Sequence, residues 1–135
     1  MISGISHITL IVSDLERAAL FLEKIFEAKE VYCSGNNTFS LSSEKFFLVG
    51  DIWVCIMLGD VRTERTYNHI AFKIDDSDFD DYFAKIKDIG AEIRTPRPRI
   101  PGEGRSIYFY DFDNHLFELH TGTLPERLAV YSQSQ

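Results

Sequence analysis

Residues 5–21, ISHITLIVSDLERAALF, return in outline as residues 67–83, YNHIAFKIDDSDFDDYF. A shift of 62 positions places His7 on His69, and the residue after each histidine is isoleucine. In both copies a strand-like alternation of apolar residues leads into a stretch with helical spacing. The order strand, helix and three further strands recurs in each half. The sequence therefore predicts an α+β fold made of two paired βαβββ modules.

The repeat divides the chain into two modules and a tail within one domain. The modules are expected at 1–61 and 62–122, and the C-terminal tail at 123–135. In the first module the pattern predicts a strand at 5–12, a helix at 14–28 that Asp14 caps, and strands within 29–34, 38–50 and 51–58. In the second module it predicts a strand at 66–74, a helix at 76–90 closed by Gly90, and strands at 91–94, 105–111 and 115–121.

Composition excludes several classes of protein. The 135 residues carry 14 basic and 21 acidic side chains, and a net charge of −7 argues against binding to nucleic acid or to an anionic membrane surface. Cys33 and Cys55 lack the CxxC spacing of zinc and redox motifs, which favours reduced thiols. The N-terminus lacks the basic region of a signal peptide, and no apolar run has the length of a membrane span. We expect a soluble, cytoplasmic protein.

Three side chains suggest a metal site. His7 and His69 lie on the more polar rows of their predicted strands, and Glu118 lies among apolar residues in the last strand. A buried carboxylate costs several kcal/mol unless a partner compensates it. Two imidazoles and one carboxylate form a facial triad that suits a divalent cation, although such ligands alone do not choose among manganese, iron, cobalt, nickel and zinc. A strand histidine is also common as an ordinary surface or core residue, so both interpretations stay open.

Two further histidines compete for a place at such a site. His120 shares the face of Glu118 and could orient it, whereas His115 follows a turn and suits a supporting position.

Three motifs, SHITLIV (6–12), YNHIAF (67–72) and YFYDFDNHLFELHTG (108–122), resemble the vicinal oxygen chelate superfamily, and within it the fosfomycin-resistance enzymes of the FosX type. The resemblance extends from Met1 to about Arg127. It implies a domain-swapped homodimer that uses Mn²⁺ to hydrolyse the epoxide of fosfomycin to a vicinal diol phosphonate. It also implies that His69 and Glu118 bind the metal together with His7 of the other subunit.

The same resemblance assigns the other site residues. It makes Glu44 the general base that activates water, whereas the residues alone favour a solvated edge-strand glutamate beside Lys45. Because fosfomycin is anionic, a net-acidic protein needs local cationic side chains to bind it, and arginine suits phosphonate oxygens. The residues that the resemblance places at the substrate are Thr9, Trp53, Tyr67, Ser106, Tyr108 and Arg127, with Arg94 as a further loop candidate.

Three alternatives share this scaffold. A thiol transferase would open the same epoxide with glutathione or another thiol and would not need Glu44. Pro98 and Gly102 stand where glutathione-using relatives have lysine and serine, which weakens this alternative. An extradiol-type dioxygenase would use iron and oxygen at a similar triad. A non-catalytic protein of the same fold would bind a drug and release it unchanged.

Overall fold

The computed structural model describes residues 1–133, which form two compact units. Unit 1 contains residues 1–64 and 112–114, and unit 2 contains residues 65–111 and the chain from His115 onward. Each unit holds a four-stranded sheet whose order and strand directions repeat in the other. The predicted α+β class with paired βαβββ elements is confirmed.

The sheet of unit 1 has the order β1-β4-β3-β2. β1 runs parallel to β4, and the other neighbours are antiparallel. The elements are β1 (Ile8–Val12), α1 (Leu15–Phe26), β2 (Lys29–Cys33), β3 (Glu44–Val49) and β4 (Ile52–Leu58).

Helix α1 covers one face of this sheet. Asp14 begins the helix, because its carboxylate accepts a hydrogen bond from the backbone N–H of Arg17 at 3.0 Å. The apolar stripe of the helix packs on β3 and β4, where Phe47 and Ile56 are almost fully buried. In β1 the row of Leu10 is buried and the row of Thr9 is exposed. The helix therefore leaves the opposite, more polar face of the sheet open to form a site.

Unit 2 repeats this plan with the order β5-β8-β7-β6, in which β5 is parallel to β8. Its core includes Phe72, Ile86, Phe109 and Phe117. The elements are β5 (His69–Lys73), a 3₁₀ turn at Asp76–Asp78, α2 (Phe79–Asp88), β6 (Ile93–Arg94), β7 (Ser106–Tyr110), β8 (Leu116–His120) and α3 (Leu124–Gln133).

Three predicted strands begin three or more residues later than the sequence pattern indicated, and one of them is β5, which was expected from residue 66 and begins at His69. The first strand was expected from residue 5, but pairing with β4 begins at Ile8, so His7 immediately precedes the strand. The third strand was expected from residue 38, but it begins at Glu44. There the Ser34 N–H donates to the Glu44 carbonyl oxygen, and the Glu44 N–H donates to the Ser34 hydroxyl. Glu44 is thus the first residue of β3, whereas the predicted strand 38–50 had placed it at the centre. The alternation of apolar and polar residues did not show where these strands begin, because a segment becomes a strand only where a neighbouring strand pairs with it.

The helices differ from prediction at two places. The second helix was expected over 76–90, yet its first three residues form the 3₁₀ turn and the α-helix ends at Asp88. The tail beyond residue 122 contains helix α3, which begins with a capping box between Thr123 and Glu126. The signal for this helix, a threonine followed three residues later by glutamate, is present in TLPE but was not used.

None of the helices in residues 1–133 combines the length and the apolar character needed to cross a membrane.

Candidate metal and substrate site

Strand register in unit 2 gathers several predicted site residues on one face of its sheet. Tyr108 of β7 lies opposite Glu118 of β8, and Ser106 lies opposite His120. On the other side of β8, His69 pairs with Leu116 in the same row as Glu118. The polar face predicted from alternation is therefore built from three adjacent strands.

His69 is fixed in one tautomer. Its Nδ1 lies 2.7 Å from the backbone carbonyl oxygen of Tyr67, and because a carbonyl only accepts, this nitrogen carries the hydrogen. In the neutral ring Nε2 then presents a lone pair, and it lies 3.0 Å from Oε1 of Glu118. In that neutral form two acceptors face one another, whereas a protonated ring would donate to the carboxylate. A cation between them would convert this repulsion into attraction.

The other oxygen of Glu118 is occupied by protein donors. Ser106 Oγ donates to Oε2 at 2.5 Å and Arg99 Nη2 donates at 3.2 Å, and Tyr108 also hydrogen-bonds to this carboxylate. Only 4% of Glu118 is exposed. Burial by itself would raise the pKa of Glu118, but the hydrogen bonds from Ser106 and Tyr108 and the charge of Arg99 outweigh it and hold the pKa below its ordinary value. The carboxylate is thus ready to ligate through Oε1.

Two hydrogen bonds in series, from Arg127 to His120 and from His120 to Ser106, hold the Ser106 hydroxyl in place. Arg127 Nη2 lies 3.2 Å from Nε2 of His120, and arginine can only donate, so the His120 proton is on Nδ1. Nδ1 lies 2.7 Å from Ser106 Oγ, which in turn donates to Glu118. Burial, followed by the positive charge of Arg99, lowers the pKa of His120 and favours this neutral form. His120 therefore supports Glu118 through Ser106.

Arg94 and Tyr67 line a smaller cavity of about 260 Å³ in unit 2, together with Tyr108. Arg94 Nη1 donates to the hydroxyl of Tyr110 at 3.0 Å, and its guanidinium lies 5.0 Å from the ring centre of Tyr67. The Tyr67 hydroxyl donates to that of Tyr108 at 3.2 Å. Two guanidinium groups, those of Arg94 and Arg97, and two phenols thus line one opening.

Unit 1 brings together the other four predicted residues. His7, Thr9, Glu44 and Trp53 line a cavity of about 490 Å³ on the face of the sheet opposite α1. The rings of His7 and Trp53 stack with centroids 4.1 Å apart. Trp53 Nε1 is buried and has no hydrogen-bond partner within residues 1–133. A buried N–H without a hydrogen-bond partner raises the free energy of the folded protein, so this indole favours binding of a ligand that carries an acceptor.

Glu44 is a buried carboxylate with a weak partner. It is 6% exposed, and in the described part of the chain the side-chain donor to its carboxylate is Cys55, whose Sγ lies 3.5 Å from Oε1. Burial and the hydrogen bond to Glu44 raise the pKa of the Cys55 thiol to about 11, so the thiol stays protonated and donates. Most of the accepting capacity of Glu44 remains available, which suits a base in an apolar cavity.

The donor set fits a divalent metal. Two ligand atoms bound at ~2.1 Å and at right angles stand about 3.0 Å apart, the separation expected for octahedral nitrogen and oxygen ligands. The pair His69 Nε2 and Glu118 Oε1 has this separation. Among residues 1–133 of a single chain, no group of three or more His, Cys, Asp or Glu side chains is arranged to hold a metal. Unit 2 by itself offers two of the three predicted ligands.

Sequence reasoning missed two residues near Glu118. Arg99 was not among the predicted site residues, yet its side chain is 11% exposed and contacts Glu118 and Tyr108. Glu103 is 1% exposed and binds Arg99 from the other side. The signal that could have identified them is the PGEG turn that follows the arginines.

Comparison with known proteins places the chain in a family. The family model of the Glyoxalase/Bleomycin resistance protein/Dioxygenase superfamily matches residues 4–119. The chain belongs to this superfamily. Among curated proteins it is similar to the fosfomycin resistance protein FosX of Listeria monocytogenes, with 62% identity over 133 residues that cover 98% of this chain and 100% of the relative. FosX of Mesorhizobium japonicum is 65% identical over 129 residues, covering 96% and 93%.

A solved structure of this superfamily carries ligands that match the predicted chemistry. It is a crystal structure of a variant of Listeria monocytogenes FosX complexed with Mn(II) and 1S,2S-dihydroxypropylphosphonic acid. The TM-score is 0.90 and the identity 60%, with coverage of 97% of this chain and 99% of that one.

Proposed function

We propose that this protein is a Mn²⁺-dependent epoxide hydrolase that converts fosfomycin to its vicinal diol phosphonate and so confers resistance to the antibiotic. The observation that carries the proposal is the 3.0 Å separation of His69 Nε2 and Glu118 Oε1. When the imidazole is neutral both atoms are acceptors, and a cation can bind to both. The full-length identity to FosX and the Mn(II) and diol phosphonate in a FosX structure support it.

The metal ligands of the proposal are His69 and Glu118 of one chain and His7 of a second copy. His7 and His69 occupy equivalent positions of the repeat: His7 immediately precedes β1 and His69 is the first residue of β5, the strands that run parallel to β4 and β8. The remaining nitrogen of His7 is Nε2, because Nδ1 lies 3.0 Å from the Ser6 hydroxyl. When bound there, a divalent cation supplies Lewis-acid stabilisation to the negative charge that develops on the epoxide oxygen.

Glu44 performs the proton transfer in the proposed reaction. Its carboxylate takes a proton from water as the water oxygen bonds to the carbon that carries the phosphonate, and the bond from that carbon to the ring oxygen breaks. The ring oxygen then takes up a proton from solvent and becomes the second hydroxyl. The apolar walls around Glu44 limit the number of competing water molecules, and Cys55 orients the carboxylate through one oxygen.

The remaining predicted residues bind and orient the substrate. In unit 1, Thr9 offers a hydroxyl and Trp53 an indole N–H that has no partner within residues 1–133. In unit 2 the guanidinium groups of Arg94 and Arg127 offer N–H donors to the substrate. Tyr67, Tyr108 and Ser106 contribute hydroxyl groups whose hydrogens lie on Tyr108 and Glu118 in the metal-free protein, so they contact the substrate as acceptors or donate after they turn. Phosphonate oxygens accept hydrogen bonds from such groups, and arginine forks suit them in particular.

Phosphorus NMR of fosfomycin incubated with the protein tests the reaction directly. With Mn²⁺ and no thiol we expect one new resonance, that of the dihydroxypropylphosphonate, and no reaction after the metal is removed by chelation. A product that forms only when glutathione or another thiol is added would identify a thiol transferase instead. Bound but unchanged fosfomycin would identify a drug-binding protein.

Complementation tests the sharing of ligands in the proposed cytoplasmic homodimer. His7→Ala and Glu118→Ala should each be inactive, and subunit exchange between them should restore activity because half the dimers then carry one intact site. Full exchange should return about one quarter of the parent activity per chain. A mixture that stays inactive although sedimentation shows mixed dimers would contradict the sharing of His7.

A further inference from the structure

Glu103 is the most deeply buried carboxylate that the proposed chemistry does not use. It lies in the turn between β6 and β7 and is 1% exposed. Its Oε1 accepts hydrogen bonds from Arg97 Nη2 at 2.6 Å, from Tyr131 of α3 at 2.9 Å and from Arg99 Nη1 at 3.2 Å. Oε2 accepts from the backbone N–H of Ile100 at 2.9 Å.

The backbone around Glu103 is built to hold it in this place. Gly104 has a φ of +84°, a left-handed conformation that favours glycine. A Cβ on Gly104 would lie 2.7 Å from the backbone nitrogen of Gly122, so a larger residue would push the two segments apart. Glu103 is therefore directed inward by a turn whose geometry leaves little alternative.

Arg99 connects Glu103 to the proposed metal ligand. Nη1 of Arg99 donates to Glu103, while Nη2 donates to Glu118 Oε2 at 3.2 Å and to the Tyr108 hydroxyl at 3.0 Å. The arginine side chain is 11% exposed, so its charge is poorly screened by solvent. Two buried carboxylates thus share one buried guanidinium.

This sharing has an electrostatic consequence. A guanidinium beside Glu118 would compete with a divalent cation for the same carboxylate and would repel that cation. Glu103 supplies a second negative charge to the guanidinium. The three buried groups Glu103, Arg99 and Glu118 then carry a net charge of about −1, which Glu118 can present to the metal. The guanidinium of Arg97 also lies 2.6 Å from Glu103, but its side chain is 36% exposed, so solvent screens its charge more strongly than that of Arg99.

We propose that Glu103 is a positioning residue that holds Arg99 and neutralises its charge, so that Glu118 remains available to a divalent cation through Oε1. The inference rests on the proposed metal site and extends it to a residue that touches neither metal nor substrate. Removal of the Glu103 charge leaves Arg99 paired to Glu118 alone, and metal affinity falls. Removal of Arg99 as well restores the net charge of the cluster, and metal affinity returns.

Titration of the metal-free protein with Mn²⁺, followed by the electron paramagnetic resonance of the free ion, measures this effect without turnover. Glu103→Gln should weaken Mn²⁺ binding by about 10- to 100-fold, as for other residues that support metal ligands. The double variant Arg99→Met/Glu103→Gln should bind within about threefold of the parent, because the two changes interact rather than add. At saturating Mn²⁺ the kcat of Glu103→Gln should recover, which a general loss of structure would not allow.

Arg97→Met is the matched control. It removes the 2.6 Å contact to Glu103 but leaves the bonds of Arg99 in place, so Mn²⁺ affinity should stay within about threefold of the parent. If Glu103→Gln does not fold, the Mn²⁺ titration of the single variant Arg99→Met tests the inference. That variant should bind Mn²⁺ at least as tightly as the parent.

Three results would overturn the inference: unchanged Mn²⁺ affinity in Glu103→Gln, a double variant as weak as Glu103→Gln, or a loss of about tenfold or more in Arg99→Met. Failure of the proposed function looks different. In that case the parent and His69→Ala would bind Mn²⁺ equally, whereas failure of this inference alone leaves the parent binding dependent on His69.

Discussion

Nε2 of His69 and Oε1 of Glu118 lie 3.0 Å apart while the second atom of each group is already held by the protein. His69 Nδ1 is bound to the Tyr67 carbonyl, and Glu118 Oε2 receives Ser106 and Arg99. Each side chain is thus left with one free acceptor, and the two acceptors converge. The hydrogen bonds to the Tyr67 carbonyl and from Ser106 orient the two ligands before a metal arrives, which lowers the ordering cost of binding.

Ser106→Ala tests this support directly. The change removes the 2.5 Å hydrogen bond to Glu118 Oε2 and disconnects His120 from the carboxylate. We expect the dissociation constant for Mn²⁺, measured by calorimetry, to rise by about tenfold or more. Ser77→Ala, on the exposed 3₁₀ turn of the same unit, is the control and should bind as the parent does. Equal affinities in the two variants would show that Ser106 does not orient the ligand.

Glu44→Gln separates metal binding from proton transfer. The amide preserves the size of the side chain but cannot take a proton from water, so hydrolysis of fosfomycin should fall by about 10²- to 10⁴-fold. Binding of Mn²⁺ should remain unchanged, because Glu44 is not among the proposed ligands. Rates come from phosphorus NMR at saturating Mn²⁺, with Glu23→Gln on the exposed side of α1 as control. A Gln variant with near-parent turnover would remove Glu44 from the mechanism.

The two thiols should react at very different rates. Cys33 is exposed, whereas Cys55 is buried with its pKa raised to about 11 by burial and by the hydrogen bond to Glu44. A raised thiol pKa means less thiolate at pH 7.5, and thiolate is the reactive form. Iodoacetamide should therefore label one thiol in the native protein and both after denaturation. The native Cys33→Ser variant should stay unlabelled, and rapid labelling of that variant would contradict the described environment of Cys55.

The sequence predicted the parts of the site that follow from strand periodicity. The repeat related His7 to His69, and alternation along β8 placed Glu118 and His120 on one face. Ser106 and Tyr108 were predicted from the family resemblance alone, and the register of β7 with β8 explains their place, because residues opposite one another share a face.

Arg99 and Glu103 could not be derived in the same way. They lie between β6 and β7, where neither periodicity nor pairing fixes the direction of a side chain. Their positions depend on the left-handed conformation of Gly104 and on Tyr131 in a helix that begins far along the chain. When distant contacts hold a loop side chain, the sequence shows only the residue types of the loop, here the PGEG turn at 101–104.

Acid sensitivity should distinguish Glu103 from a surface glutamate. The hydrogen bond from Arg97, opposed by burial and assisted by the Ile100 N–H and Tyr131, lowers the pKa of Glu103 to about 2. A carboxyl whose pKa is lower in the folded than in the unfolded state stabilises the fold fully above the unfolded value, about 4.3, and loses that contribution as pH falls towards 2. The free energy of unfolding, measured by urea denaturation followed by circular dichroism, should therefore differ most between the parent and Glu103→Gln at pH 6. The difference should shrink steadily between about pH 4.5 and pH 2.5. A difference that stays constant over this interval would mean that the charge of Glu103 does not contribute to stability.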